Sequence, residues 1–189
     1  MALPVLLPKM TKGRAIELGS GIGYTALVLA SMGWDVVATD TESIIRSVLR
    51  KNIDNNKASL SGTVQVRQLD WTTHEESSWD DLVGFDLILT ADTLYAPHLV
   101  EPLLRTLHKL SYKTSTPVIV AIERRDGALL DNALERARTE FNFKVHRVPH
   151  KKLAKLVQKA SYGWSKEDWS DIELWKLVGS SIPKDPDEI

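Results

Sequence analysis

The residues best suited to chemistry fall in five short runs. From Glu17 to Gly23 the chain reads Glu-Leu-Gly-Ser-Gly-Ile-Gly, a carboxylate ahead of three alternating glycines. Glycine loses the most backbone freedom on folding, so such a cluster marks positive φ angles or close approach of a ligand to bare backbone. Asp40 ends the β-branched run that starts at Asp35, and Asp70 and Trp71 follow a run carrying Val64 and Val66. Ala91, Asp92, Thr93, Leu94 and Tyr95 follow a fourth apolar run, and Glu123, Arg124 and Arg125 follow a fifth. A carboxylate at Asp40 can accept from both hydroxyls of a ribose. Asp70 can accept from an exocyclic amine, and Trp71 can cover a base or serve as a packing residue. Nucleoside binding is the chemistry these groups share.

Spacing separates the nucleoside cofactors. A dinucleotide fingerprint needs a third glycine where this chain has Tyr24. A carboxylate ahead of the loop repels a pyrophosphate but attracts the ammonium of a methionyl tail, directly or through water. The ligand expected is S-adenosyl-L-methionine, contacted by Glu17, Gly19, Ser20, Gly21, Gly23, Asp40, Asp70, Trp71 and Ala91. Methyl transfer from a sulfonium is a direct displacement, so the protein must align a lone pair and exclude water. A lysine acceptor has a free pKa of about 10.4 and must lose a proton first. Asp92 could hold that cation and Tyr95 could offer it a ring face or hydroxyl. The plainer reading is that Asp92 caps a helix and Tyr95 packs beside Pro97.

Elements must carry these residues to one place. Apolar runs at Arg14–Leu18, Asp35–Thr39, Thr63–Leu69, Phe85–Leu89, Val118–Ile122, Phe143–Val148 and Ile172–Val178 read as strands. Between them, helical spacing predicts helices at Thr25–Ser31, Ser43–Lys51, Pro97 to Leu110, Leu129–Phe141 and Lys151–Ala160. Strands apolar on both faces that alternate with helices predict an α/β fold, a doubly wound, mostly parallel seven-stranded sheet with helices on both faces. In such a sheet, ligands gather at the carboxyl ends of strands, where every run above is placed. The expected division is a short segment 1–13, a domain over 14–178 and a loose tail over 179–189.

Composition narrows the class. The 189 residues suffice for one domain. Lys and Arg number 24 against 25 Asp and Glu, so no overall field favours nucleic acid or a membrane surface. With no cysteine there are no disulfides, thiolate metal sites or cysteine nucleophiles. His74, His98, His108, His146 and His150 lack metal-ligand spacing, so no metal is expected. The serines near Gly62 and at Ser77 and Ser78 lie in no nucleophile elbow, and Trp34 and Trp79 are assigned to packing. The opening Met1 to Met10 lacks a basic signal region, which makes a cytoplasmic location, or a nuclear one, the expectation. Lys151, Lys152, Lys155 and Lys159 surround Leu153, Leu156 and Val157, giving a solvated helix face or a dock for an acidic partner.

Together, Glu17 to Gly23, Asp40, the Leu-Asp-Trp run at 69–71, Ala91 to Tyr95, the Ile-Glu-Arg-Arg run after the fifth strand and Glu173 to Leu177 resemble the seven-β-strand protein methyltransferases of methyltransferase-like family sixteen. The resemblance runs from Arg14 to Val178, with the Asp-x-x-Tyr step at 92–95 its most specific part. It implies cofactor contact at Glu17, Gly19, Gly21, Asp40, Asp70 and Trp71, with Asp92 and Tyr95 facing the acceptor. It places Glu123 and Arg124 beside or beneath the substrate channel, where a solvated charge cluster is the alternative. It implies methylation of a lysine on a specific protein, a translation elongation factor being the leading case; a monomer is expected, and the balanced charge and the absence of prolines in Asp92-Thr93-Leu94-Tyr95 speak against a nucleic-acid acceptor. The family usually carries a longer covering segment before the first strand. A small-molecule N-methyltransferase and a catalytically idle adaptor are the rival readings, and an NAD enzyme comes last.

Overall fold

Alternation within the strands decides which side of the sheet each residue serves. In the computed structural model, which describes residues 12–73, 81–112, 114–160 and 163–179, seven strands form one sheet. They are β1 (Arg14–Leu18), β2 (Asp35–Asp40), β3 (Thr63–Gln68), β4 (Leu87–Ala91), β5 (Val118–Glu123), β6 (Phe143–Arg147) and β7 (Ile172–Gly179). The order is β3-β2-β1-β4-β5-β7-β6. The pairings from β3 to β5 are parallel, whereas β7 runs antiparallel between β5 and β6. The mostly parallel doubly wound sheet expected from the sequence is therefore present.

Along β1, Ala15 belongs to one apolar cluster and Ile16 and Leu18 to the other. Leu87 and Leu89 of β4 share the first with Ala15, and Ile88 shares the second. The first cluster is covered by α1 (Tyr24–Ser31) and by a helical run made of α2 (Glu42–Ile44), a π turn (Ile45–Leu49) and α3 (Arg50–Asn56). The second is covered by α4 (Pro97–Ser111) and α5 (Gly127–Thr139). The last helix, α6 (His150–Ala160), joins β6 to β7. Trp34 is fully buried in the first cluster, as its assignment to packing requires.

Several boundaries depart from the sequence reading. The fourth strand starts two residues later and ends two later, at Ala91. Phe85 is buried but precedes the ladder, while Asp86 closes it by accepting from the Arg14 N–H at 2.9 Å. Thr90 extends the strand because its hydroxyl donates to the Leu18 carbonyl at 3.0 Å. The helix expected at Ser43–Lys51 continues to Asn56 through the π turn. Ile45, Leu49 and Ile53 all face the core at four-residue intervals. A straight α-helix would rotate such a row by about 40° per step, and the wider i→i+5 turn offsets that drift. The helix expected at Leu129–Phe141 starts at Gly127 and ends at Thr139, because Asp126 caps it by accepting from the Leu129 N–H at 2.9 Å. Residues 1–11 of the opening segment, His74, Ser77, Ser78, Trp79 and residues 180–189 of the tail lie outside the described residues.

Candidate active site

Strand order reverses between β1 and β4, the point at which an open α/β sheet forms a crevice at its carboxyl edge. A cleft of about 350 Å³ lies there. Its lining includes Gly19 and Gly21 after β1, Asp40 at the end of β2, Asp70 and Trp71 after β3, and Ala91, Asp92 and Tyr95 at the end of β4. Eight of the residues singled out from the sequence thus meet in one cavity. Glu17, Ser20 and Gly23 do not line it.

The glycine loop has the geometry that its composition implied. Gly19 and Gly21 have φ of +68° and +53°. A Cβ on Gly19 would lie 2.8 Å from Thr93 Cγ2 and 3.1 Å from Trp71 Cη2, so the strand end, the β4 loop and the indole close on one another only around hydrogen. A Cβ on Gly21 would meet nothing within 4 Å. Gly21 therefore presents bare backbone to open cleft.

Each carboxylate has a different surrounding. Asp40 is oriented from both sides, Oδ2 accepting from the Gly21 N–H and Oδ1 from the Thr41 N–H, each at 2.8 Å. A carboxylate offers about four lone-pair positions, so capacity for ligand hydroxyls remains. Asp70 closes its own turn, with Oδ1 accepting from the Thr72 N–H at 2.9 Å and from the Thr72 hydroxyl at 2.7 Å.

Glu17 follows the parity of Ala15 and so points to the α1 side of the sheet, with only 2% of its surface exposed. There Oε2 accepts from the Ala26 N–H at 3.1 Å. The N-cap of α1 is Gly23, which has no side chain to cap with, so the strand carboxylate takes over that task from beneath the loop. Burial pushes the Glu17 carboxyl up to about 7, against hydrogen bonds from Ser20, Thr25 and Ala26 that lower it, and the Asp40 charge adds to the rise.

Asp92 sits at φ +55°, a backbone region that few residues other than glycine adopt and that collects at functional turns. The N-cap of α4 is Ala96 with no side-chain cap, so Asp92 is not a helix cap. Its carboxylate lies 3.3 Å from Arg125. Tyr95 is 68% exposed and lines the cleft, rather than packing away beside Pro97. Beneath them the buried hydroxyls of Thr90 and Thr93 meet at 2.6 Å, fixing the turn.

Trp71 answers to both of its readings. Its ring packs against the second core cluster, yet it lines the cleft and its buried Nε1 has no hydrogen-bond partner among the described residues. A buried donor left unpaired costs about 1–3 kcal/mol, which a ligand acceptor would recover. This orphaned donor, the bare Gly21 backbone and the pre-oriented Asp40 carboxylate fit a ligand with a flat base and a ribose.

At the end of β5 the charges divide. Arg124 reaches Asp131 at 2.7 Å and Glu173 at 3.4 Å, bracing β5 against α5 and β7. Glu123 pairs with Arg125 at 2.5 Å. Leu69 and Thr93, members of two of the runs singled out above, also line the cleft, as do Thr41, Ile44, Thr72 and Leu99, which carried no signal in the sequence because small polar and apolar residues there look like those elsewhere. Among the described residues no group of three or more His, Asp or Glu could hold a metal, and no helix is long and apolar enough to cross a membrane.

Comparison with known proteins bears on family and fold. The family described as lysine methyltransferase matches residues 7–143. Methyltransferase-like protein 22 of Homo sapiens is 25% identical over 89% of this chain and 48% of its own length. Protein N-lysine methyltransferase METTL21A of Danio rerio is 36% identical over 52% of this chain and 44% of its own. The chain thus spans about half the length of these curated relatives or less. The methyltransferase domain of bacterial CtHen1 superposes with a TM-score of 0.64 over 95% of this chain and 96% of that one, at 11% identity, which speaks to fold alone. The chain belongs to the lysine methyltransferase family, a membership that carries S-adenosylmethionine as methyl donor.

Proposed function

We propose that this protein transfers a methyl group from S-adenosylmethionine to a lysine side chain of another protein. The observation that carries the reading is one cleft lined both by Asp40, Asp70 and Trp71 and by the exposed Asp92 and Tyr95. When bound, the cofactor supplies an electrophilic methyl group on a sulfonium. Asp40 holds the ribose, Asp70 and Trp71 receive the adenine, and the backbone of Gly19 and Gly21 passes along the methionyl portion, while Ser20 and Gly23 shape the loop from outside the cleft. Ala91 floors the cleft at the end of β4. Glu17, beneath the loop, supplies negative charge toward the ammonium when it is ionised.

Asp92 receives the incoming lysine ammonium and orients it, and Tyr95 borders it with its ring and hydroxyl. The ammonium must release a proton before its nitrogen can act as a nucleophile, so Asp92 serves here to position the cation. The exposure of this end favours a macromolecular acceptor over a small enclosed one. A translation elongation factor is the proposed acceptor on the strength of the resemblance, with the protein acting as a monomer in the cytoplasm or nucleus and without nucleic acid.

Titration calorimetry with S-adenosylhomocysteine, followed by labelled-methyl transfer into a lysate read by mass spectrometry, tests the assignment. Asp40→Ala should weaken binding at least about tenfold, the scale of losing charge-assisted hydrogen bonds. Asp92→Ala should bind the nucleoside as wild type does and transfer no methyl group. Equal loss of binding in both variants would overturn the division of the cleft.

A further inference from the structure

The two arginines that end the fifth strand face opposite ways. Arg124 is engaged by Asp131 and by Glu173, which is 5% exposed, and belongs to the scaffold. Arg125 turns toward the cleft. Its backbone N–H donates to the Glu123 carbonyl at 2.8 Å, its Nη2 donates to Glu123 Oε2 at 2.5 Å, and its Nη1 lies 3.3 Å from Asp92 Oδ2. One guanidinium therefore bridges the carboxylate that ends β5 and the one that opens the β4 loop. Asp92 is the group assigned above to the acceptor ammonium, and with no acceptor present its partner is already a cation.

Both side chains of this pair are half-exposed or more, at 63% for Arg125 and 50% for Asp92. Exposed ion pairs contribute little to stability, so Arg125 can leave Asp92 readily while keeping Glu123. An ammonium that replaces it then sits beside a displaced guanidinium of like charge, which disfavours a bare lysine. A carboxylate next to the lysine removes the difficulty, because it can take the edge of the guanidinium that Asp92 releases. A planar guanidinium accepts a carboxylate at each of two edges, which a lysine in its place could do only as a point charge.

We propose that Arg125 occupies the acceptor position in the absence of substrate and sets the substrate class: lysines flanked by acidic residues. The inference rests on the functional reading above and deepens it by naming the sequence chemistry around the methylated lysine.

The test uses the full chain saturated with S-adenosylhomocysteine and two probes, acetyl-Glu-Lys-Glu-amide and acetyl-Gln-Lys-Gln-amide, whose affinities are read from NMR chemical-shift titrations. Wild type should bind the acidic peptide about fivefold more tightly, the factor that corresponds to the upper value for an exposed ion pair. Arg125→Gln should bind the two peptides equally, chiefly by gaining affinity for the neutral one, and Arg125→Lys should retain part of the preference. Equal binding of the peptides by wild type, binding of neither, or the same preference in Arg125→Gln would overturn the assignment. Failure to bind S-adenosylhomocysteine would instead refute the functional reading beneath it, so the two failures are told apart by the first titration.

Discussion

Glu17 shows how one side chain can serve both the fold and the site. It caps α1 from beneath, at a position where its charged form is disfavoured by burial. In the unfolded chain its carboxyl titrates at 4.5, and in the folded chain at about 7. Between those values the folded state holds more protons, so stability falls as pH rises, by a total on the order of 3 kcal/mol once both forms are ionised. Glu17→Gln keeps an oxygen for the Ala26 N–H but cannot ionise. Its urea-unfolding free energy relative to wild type should therefore improve between about pH 5 and about pH 8, by up to that amount. The same variant removes the negative charge proposed to face the cofactor ammonium, so its affinity for S-adenosylhomocysteine above pH 7 should drop about tenfold, a change worth about 1.4 kcal/mol. A variant both more stable and weaker in binding would separate the two duties. Asp92 has the complementary character, being strained, exposed and irrelevant to capping.

At the scale of elements, the β1–α1 loop and the β4–α4 loop are one unit, because Gly19 lets Thr93 and Trp71 approach. Gly19→Ala meets both a left-handed backbone and a 2.8 Å contact, and should lose about 2–4 kcal/mol of stability by denaturant titration. Gly21→Ala meets the backbone strain alone and should lose about 1 kcal/mol, yet it adds a methyl group where the cofactor backbone should pass. It should therefore fold and bind S-adenosylhomocysteine poorly. At the β6–β7 end of the sheet, Glu173 gathers Arg147 at 2.7 Å, Arg124 at 3.4 Å and the Trp175 indole N–H at 2.9 Å, tying β5, β6 and β7 together. Glu173→Ala leaves these donors without their shared acceptor and should cost about 2 kcal/mol, with a lower Tm and unchanged nucleoside affinity per folded molecule. The π turn between α2 and α3 belongs to this scale too. Its hydrophobic row was plain from Ile45, Leu49 and Ile53, but the widened turn that keeps the row facing the core appears only in the tertiary structure.

For the whole molecule, the direction of β6 matters most. It and β5 both run antiparallel to β7, so β6 is parallel to β5, and α6 leaves it at the same edge of the sheet that carries the cleft. Lys151, Lys152, Lys155 and Lys159 are exposed on that helix. If this basic face receives an acidic protein acceptor, changing all four to Glu should raise KM for the protein acceptor at low salt about tenfold or more, leave kcat nearly unchanged and leave nucleoside affinity alone. An unchanged KM across a salt series would reduce the helix to a solvated cover.

The convergence of the candidate residues was legible in the chain by itself. Glycines after an acid, Asp40 and Asp70 at strand ends, and the Asp92–Tyr95 step supply residues to one cleft, because strand ends in a parallel sheet converge whatever the details of packing. The seven strands were legible for the same reason, as short apolar runs whose period reports burial. What the tertiary structure alone decided was direction. Parity along β1 turned Glu17 away from the cleft and onto the helix start. Two adjacent arginines were sent to opposite partners, and β7 was reversed between β5 and β6. Such choices depend on which groups compete for the same space and the same charge, and those competitors lie far apart in the chain, 49 positions in the case of Arg124 and Glu173.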